Sequence, residues 1–144
     1  MNSNGSTESS KIVGQTSSAG FQIGVRRTLP ISADQAWAFL TSPEGAKLWL
    51  GSTPPLEFAI RESFAASEGI TGQFKVVKPQ QQLQLRWQKP EWERPSTLQI
   101  RLLPAKSGTT ISFHQEQLDH PGTREEMKLH WEAVLDTIKE QLNC

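Results

Sequence analysis

The chain has 144 residues and 16.1 kDa, the length of one domain. Fifteen Lys and Arg balance fifteen Asp and Glu, so there is no broad basic field for a phosphate backbone or an anionic leaflet, and nucleic acid is not the expected partner. No apolar stretch approaches the ~18–20 residues of a membrane span and no signal segment opens the chain, while a single cysteine, Cys144, excludes an internal disulfide and a multi-cysteine zinc site. Hydrophobic residues make up only 35%, but five Trp and six Phe supply large rings, each burying about 150–250 Å², so a core is feasible. The expectation is a soluble, cytoplasmic single domain.

Residues 1–20 differ from the rest. Thirteen of them are Ser, Gly, Asn or Thr, too polar a stretch to offset its own chain entropy, and it is read as a flexible tail ahead of one domain over 21–142. The nine prolines then fall between periodic segments, where a ring that fixes φ and lacks an N–H does least harm. In FQIGVRRTL, Phe21, Ile23, Val25 and Leu29 share one face with Arg27 among them, which predicts a half-buried strand. Ser32 with Gln35 makes a capping box for a short helix carrying Ala36, Trp37 and Leu40. Ser42 and Pro43 suit the N-cap and first position of a second helix with Leu48, Trp49 and Leu50, and Gly51 is placed to end it.

The middle of the chain alternates. Phe58, Ile60 and Phe64 form one apolar run, and Ile70, Phe74 and Val76 a second. Leu83, Leu85 and Trp87 follow, then Leu98, Ile100 and Leu102, then Ile111 and Phe113. Polar partners on the opposite faces argue for an antiparallel sheet with one wet side. Gly- and Pro-bearing connectors at Ser67–Gly69, Pro79-Gln80 and Ser107-Gly108 separate the runs. A long helix closes the chain, with Thr123 and Glu126 expected as a second capping box and Met127, Trp131, Val134, Leu135, Ile138 and Leu142 as its apolar stripe. From 123 to 142 it would be about 30 Å long, enough to lie across the whole apolar face of the sheet. The fold class is therefore α+β, a curved antiparallel six-stranded sheet wrapped around a long C-terminal helix, with two short helices after the first strand.

That order carries a resemblance. The stretch ISADQAWAFLTSPEGAKLWLG resembles the opening helix pair of START-like proteins of the SRPBCC superfamily, and Gly72, LRWQKPEW, GTTISFHQEQL and LHWEAVLDTIKEQL follow in the same order. The subgroup resembled is the homologues of the heat-shock-protein-90 ATPase activator, with the helix-grip, Bet v-like fold, over about residues 21–142. The resemblance implies an apolar cavity between sheet and long helix that takes a hydrophobic small molecule; with no positioned acid–base pair in the sequence, neither catalysis nor a cofactor is expected. Two alternatives stay open: a chaperone-associated or stress-related interaction protein, and a cyclase- or hydrolase-type enzyme on the same fold.

The cavity reading assigns its lining to Phe58, Ile60, Phe74, Val76, Leu85, Trp87, Leu98, Ile100, Ile111, Phe113, Met127, Trp131 and Leu135. A plain packed core has the same sequence signature. Arg27 and Glu62 fall on apolar faces, and because an unpaired buried charge costs several kcal/mol, a rim position is expected for both. Trp92, on a loop of mixed charge, is a candidate lid or partner contact. No catalytic residue is assigned: His114 shares a strand face with Ser112 and Glu116, His120 lies in a turn, and His130 sits off the helix stripe, with no nucleophile motif near any of them. His114 and Glu116 lack a third ligand, so no metal is expected. The oligomeric expectation is a monomer or a weak homodimer.

Overall fold

Alternating apolar residues build the sheet on which everything else rests. In the computed structural model, which describes residues 15–16 and 20–143, seven strands form one antiparallel sheet. They are β1 (Gln15–Thr16), β2 (Gly20–Leu29), β3 (Ser63–Ala65), β4 (Thr71–Lys78), β5 (Gln82–Gln88), β6 (Ser96–Ala105) and β7 (Gly108–Leu118), in the spatial order β1-β2-β7-β6-β5-β4-β3. Helices α1 (Ala33–Leu40) and α2 (Pro43–Trp49) follow β2, and α3 (Pro121–Gln141) closes the chain. Six strands are those the pattern predicts. The seventh, β1, pairs Gln15 with Phe21 and Thr16 with Gly20, inside the segment read as a tail; the remainder of that segment, residues 1–14 and 17–19, lies outside the described residues.

The caps at the helix pair follow the sequence. Ser32 accepts from the Gln35 backbone at 3.1 Å while the Gln35 side chain takes the Ser32 N–H at 2.9 Å, a reciprocal box that satisfies two otherwise orphaned donors. Ser42 caps α2 through the Gly45 N–H at 3.0 Å, with Pro43 in the first turn. Gly45 is required by close approach: a Cβ there would stand 1.8 Å from the Phe39 carbonyl oxygen, so only glycine lets α2 turn back on α1.

Three departures from simple alternation reshape the sheet. The run through Phe58 and Ile60 is not a strand. Phe58 and Arg61 adopt positive φ, 57° and 73°, and the Glu62 carboxylate accepts the Glu57 and Ala59 N–H groups, both at 3.1 Å. Glu62 therefore organises a compact turn, where a rim position was expected, and Ile60 is turned outward with 59% of its surface exposed. In β4 the register shifts between Phe74 and Val76, placing Val77 opposite the buried Leu83. Val77 packs on the core in the place expected for Val76, because one extra residue reverses the two-residue alternation. In β7 a shift opposite Phe21 and Ile23, with Gln117 at φ 68°, brings Leu118 to the buried face.

Helix α3 also begins differently from expectation. His120 is the N-cap, in extended conformation and without a side-chain cap bond, and Pro121 occupies the first turn. Proline's fixed φ starts the helix two residues before Thr123, so Thr123 and Glu126 are interior and form no box. The stripe itself is as expected: Met127, Trp131, Val134, Leu135 and Ile138 are buried. Arg27 on β2 forms an ion pair with Asp136 on α3, at the edge of that contact.

Candidate functional site

The stripe of α3 presses its rings onto the sheet. Trp131 stacks on Phe113 with centroids 5.0 Å apart and meets the edge of Trp87 at 5.4 Å. Phe74, Leu85, Trp87, Leu98, Ile111, Phe113, Met127, Trp131 and Leu135 have no accessible surface, and Ile100 has 2%. A side chain bordering a water-sized void would keep some accessible surface, so the nine residues with none form close-packed core with no such void against them.

A polar thread runs through this core. The Trp131 indole donates to Gln115 Oε1 at 2.7 Å, Gln115 Nε2 donates to Ser96 Oγ at 2.8 Å, and Ser96 Oγ donates to the Trp87 carbonyl at 2.6 Å. The Trp87 indole in turn donates to the Trp49 carbonyl at 2.9 Å, and the Trp49 indole to the Leu40 carbonyl at 3.0 Å. Six elements, α3, β7, β6, β5, α2 and α1, are stitched together by donors that would each be costly to leave unpaired. Sequence reasoning missed Gln115 and Ser96. The signal was present, because Gln115 continues the inward positions of Ile111 and Phe113, and Ser96 those of Leu98 and Ile100.

The open space lies elsewhere. A cleft of about 280 Å³ separates the α1–α2 corner from the segment that follows α2; Thr41, Ser42, Pro43, Ala46 and Lys47 line one side, and residues 51–56 and Phe58 the other. Gly51 permits this geometry. Its φ is 103°, and a Cβ would stand 2.7 Å from Glu68 Oε1. That carboxylate binds the Ser52 N–H at 2.9 Å and the Ser52 hydroxyl at 3.2 Å, and the Ser52 backbone bond is the main reason it titrates below the ordinary carboxylate range. The hydroxyls lining the cleft are already engaged: Thr41 donates to the Trp37 carbonyl, Ser42 to that of Phe39 and Thr53 to that of Pro54. What faces the space is mainly apolar, and among the described residues Lys47 is the only ionisable one lining it. At the inner end, Phe58 stands 5.4 Å from Phe74 and 6.3 Å from Trp49, centroid to centroid, so the cleft abuts the core through one half-buried ring.

Trp92 borders a second hollow, about 430 Å³, between the β5–β6 loop and the start of α3. It is half-buried, edge-on to Trp87 at 5.5 Å, with its carbonyl held by Gln88 Nε2 at 2.7 Å. The Arg94–Asp119 ion pair lies across this hollow's wall. The histidines do not gather. His114 Nε2 meets Gln22 Oε1 at 3.0 Å on the neighbouring strand, His120 is exposed, and His130 packs 4.6 Å from the Trp131 ring. Burial holds the His130 imidazole below its ordinary value; nearby Lys89 pushes the same way and Glu126 opposes. Among the described residues no cluster of His, Cys, Asp or Glu is arranged to hold a metal ion, and no helix is long and apolar enough to cross a membrane.

A long terminal helix gripped by an antiparallel sheet, with a helix pair inserted after the first long strand, is the helix-grip, START-like fold. Within it the chain belongs to the family described as Activator of Hsp90 ATPase homolog 1-like protein, whose model matches residues 30–143. Among solved structures it is similar to protein MLL2253 from Mesorhizobium loti, with 21% identity and a TM-score of 0.73 over 85% of this chain and 96% of that one. It is also similar to PFC0360w, an HSP90 activator from Plasmodium falciparum, with 16% identity and a TM-score of 0.73 over 86% and 97%. A third is CalU16 from Micromonospora echinospora, with 20% identity and a TM-score of 0.73 over 84% and 76%. At these identities the likeness is one of fold. No curated protein matches the sequence.

Proposed function

We propose that this domain binds a hydrophobic small molecule, admitted at the cleft between the α1–α2 corner and residues 51–58. The observation that carries the reading is the cleft itself: a concave, mainly apolar space whose lining hydroxyls are already hydrogen-bonded, ending on the Phe58 ring. Such a surface gains little from water and more from an apolar body laid against it. Phe58 is its link to the interior. That one ring packs on Phe74 and Trp49, so a body bound in the cleft would lie against the aromatic edge of the core. Melting the full chain against a panel of fatty acids, flat aromatics and sterols tests the reading. At a hundredfold excess over Kd a ligand adds about 2.7 kcal/mol of stability, and the same ligand should alter Trp49 emission. A panel in which no compound shifts either signal sinks the proposal.

A second reading has its own support, since the matching family is described by an activator of Hsp90 ATPase and one similar structure is an HSP90 activator. In that role the protein would raise the ATP turnover of purified Hsp90, with Trp92 and the hollow beside it as the first surface to substitute. Turnover unchanged by a large excess of the protein excludes it.

A further inference from the structure

The charge of the cleft says more about its occupant than its apolarity does. Lys47 lies on α2 with its side chain exposed at the wall, and among the described residues its ammonium has no carboxylate partner and no hydrogen bond. Among the described residues no carboxylate lines the space: Glu68 is turned onto Ser52 and Glu62 onto the backbone of its own turn, while Glu44 and Glu57, the other nearby acids, are exposed outside the lining. Ala46 on the same wall, with Leu56 and Phe58 across the cleft, supplies the apolar lining. The volume, about 280 Å³, is at the small end for a ligand pocket. A single ring or a short alkyl chain is the right size.

We infer that the cleft takes a small amphiphilic monoanion, a carboxylate on a short alkyl chain or a single aromatic ring, with the acid group paired to Lys47 and the apolar body on Ala46, Leu56 and Phe58. The inference depends on the small-molecule reading above and adds the chemical class. An exposed ammonium at the wall of an apolar space, with no bonded partner, offers an anion a charge-assisted pairing that a neutral molecule of the same shape lacks, at the modest strength of a solvent-exposed pair. A cation of that shape is disfavoured by the same field.

The probes are octanoate, 1-octanol and octylamine, titrated into the full chain by calorimetry and followed by tryptophan emission. Octanoate should bind about two- to fivefold more tightly than octanol, the range an exposed ion pair supplies, and octylamine more weakly than either. Lys47→Met keeps the apolar stem and removes the charge, so octanoate and octanol should then bind alike; Lys47→Arg should keep the preference. Lys78→Met, at the exposed end of β4, should behave as wild type. Leu56→Trp fills the cleft and should abolish binding of all three, with Thr53→Trp at the mouth as a second blocking variant if the first fails to fold. Equal binding of acid and alcohol to the wild type, or a preference that survives Lys47→Met, overturns the assignment of an anion while leaving the hydrophobic reading standing. Binding untouched in both tryptophan variants overturns the site. Silence from all three probes removes the inference; if the wider panel still yields a neutral ligand, the small-molecule reading survives without it.

Discussion

Gln115 shows what one polar side chain can do inside an apolar core. Its amide has no accessible surface and bridges the Trp131 indole to Ser96. Replacing it with leucine removes the acceptor, leaving a buried indole N–H whose desolvation is no longer compensated, at a cost of about 1–3 kcal/mol. Changing Trp131 to phenylalanine removes the other half of the same bond. The two changes should therefore not add: Gln115→Leu in the Trp131→Phe background should cost clearly less than Gln115→Leu alone, since neither partner is then left unsatisfied. Urea unfolding of the two single variants and the double variant measures the coupling. Strict additivity would show that the bond contributes nothing beyond packing.

At the scale of elements, the least optimised terminus is the start of α3. His120 has the extended conformation of an N-cap, φ −136° and ψ 149°, but its side chain makes no cap bond. A serine there can accept from the backbone two or three residues on, so His120→Ser should raise stability by about 0.5–1 kcal/mol. Thr123→Ala should be nearly neutral by the same logic, because Thr123 is already inside the helix. Denaturant midpoints for the pair decide between the two possible starts: a loss of about 1 kcal/mol at Thr123 with no gain at His120 would place the cap at Thr123. Ion pairs between elements matter less. Arg27–Asp136, Lys89–Glu126 and Arg94–Asp119 each include a partner at least half exposed, where water and salt screen the attraction.

At the scale of the whole molecule, stability should carry a pH dependence traceable to His130. Its folded-state imidazole titrates below the ordinary value, chiefly through burial against Trp87 and Trp131. The unfolded chain therefore takes up the proton more readily, and the contribution of neutral His130 is complete above the ordinary value of about 6.5. It is lost as pH falls from there through the lower folded-state value. His130→Gln should remove this part of the slope, so wild type and variant should converge in the acid limb relative to their difference at pH 7.5. Unfolding midpoints at pH 7.5, 6.5 and 5.5 check it; parallel curves would mean that the ring pays no burial penalty.

The sequence by itself determined what local periodicity and capping chemistry can determine. Two-residue alternation located β5, β6 and the first part of β7, the Ser32–Gln35 box and Ser42-Pro43 placed α1 and α2, and the spacing of Met127, Trp131, Leu135 and Ile138 set the buried side of α3. Those features depend on residues near one another in the chain. Tertiary structure decided the rest. Val77 replaces Val76 on the inner face because a bulge against β5 resets the register, and Ile60 points outward because the Glu62 carboxylate accepts the Glu57 and Ala59 N–H groups and folds residues 57–62 into a turn. Packed core and open cavity also share one apolar pattern. Only the closure of Trp131 onto Phe113 and Trp87, with Gln115 beneath it, filled the space under α3 and left the open volume at the α1–α2 corner. The reason is physical: alternation states which side chains leave water, whereas the volume between them depends on how distant elements meet.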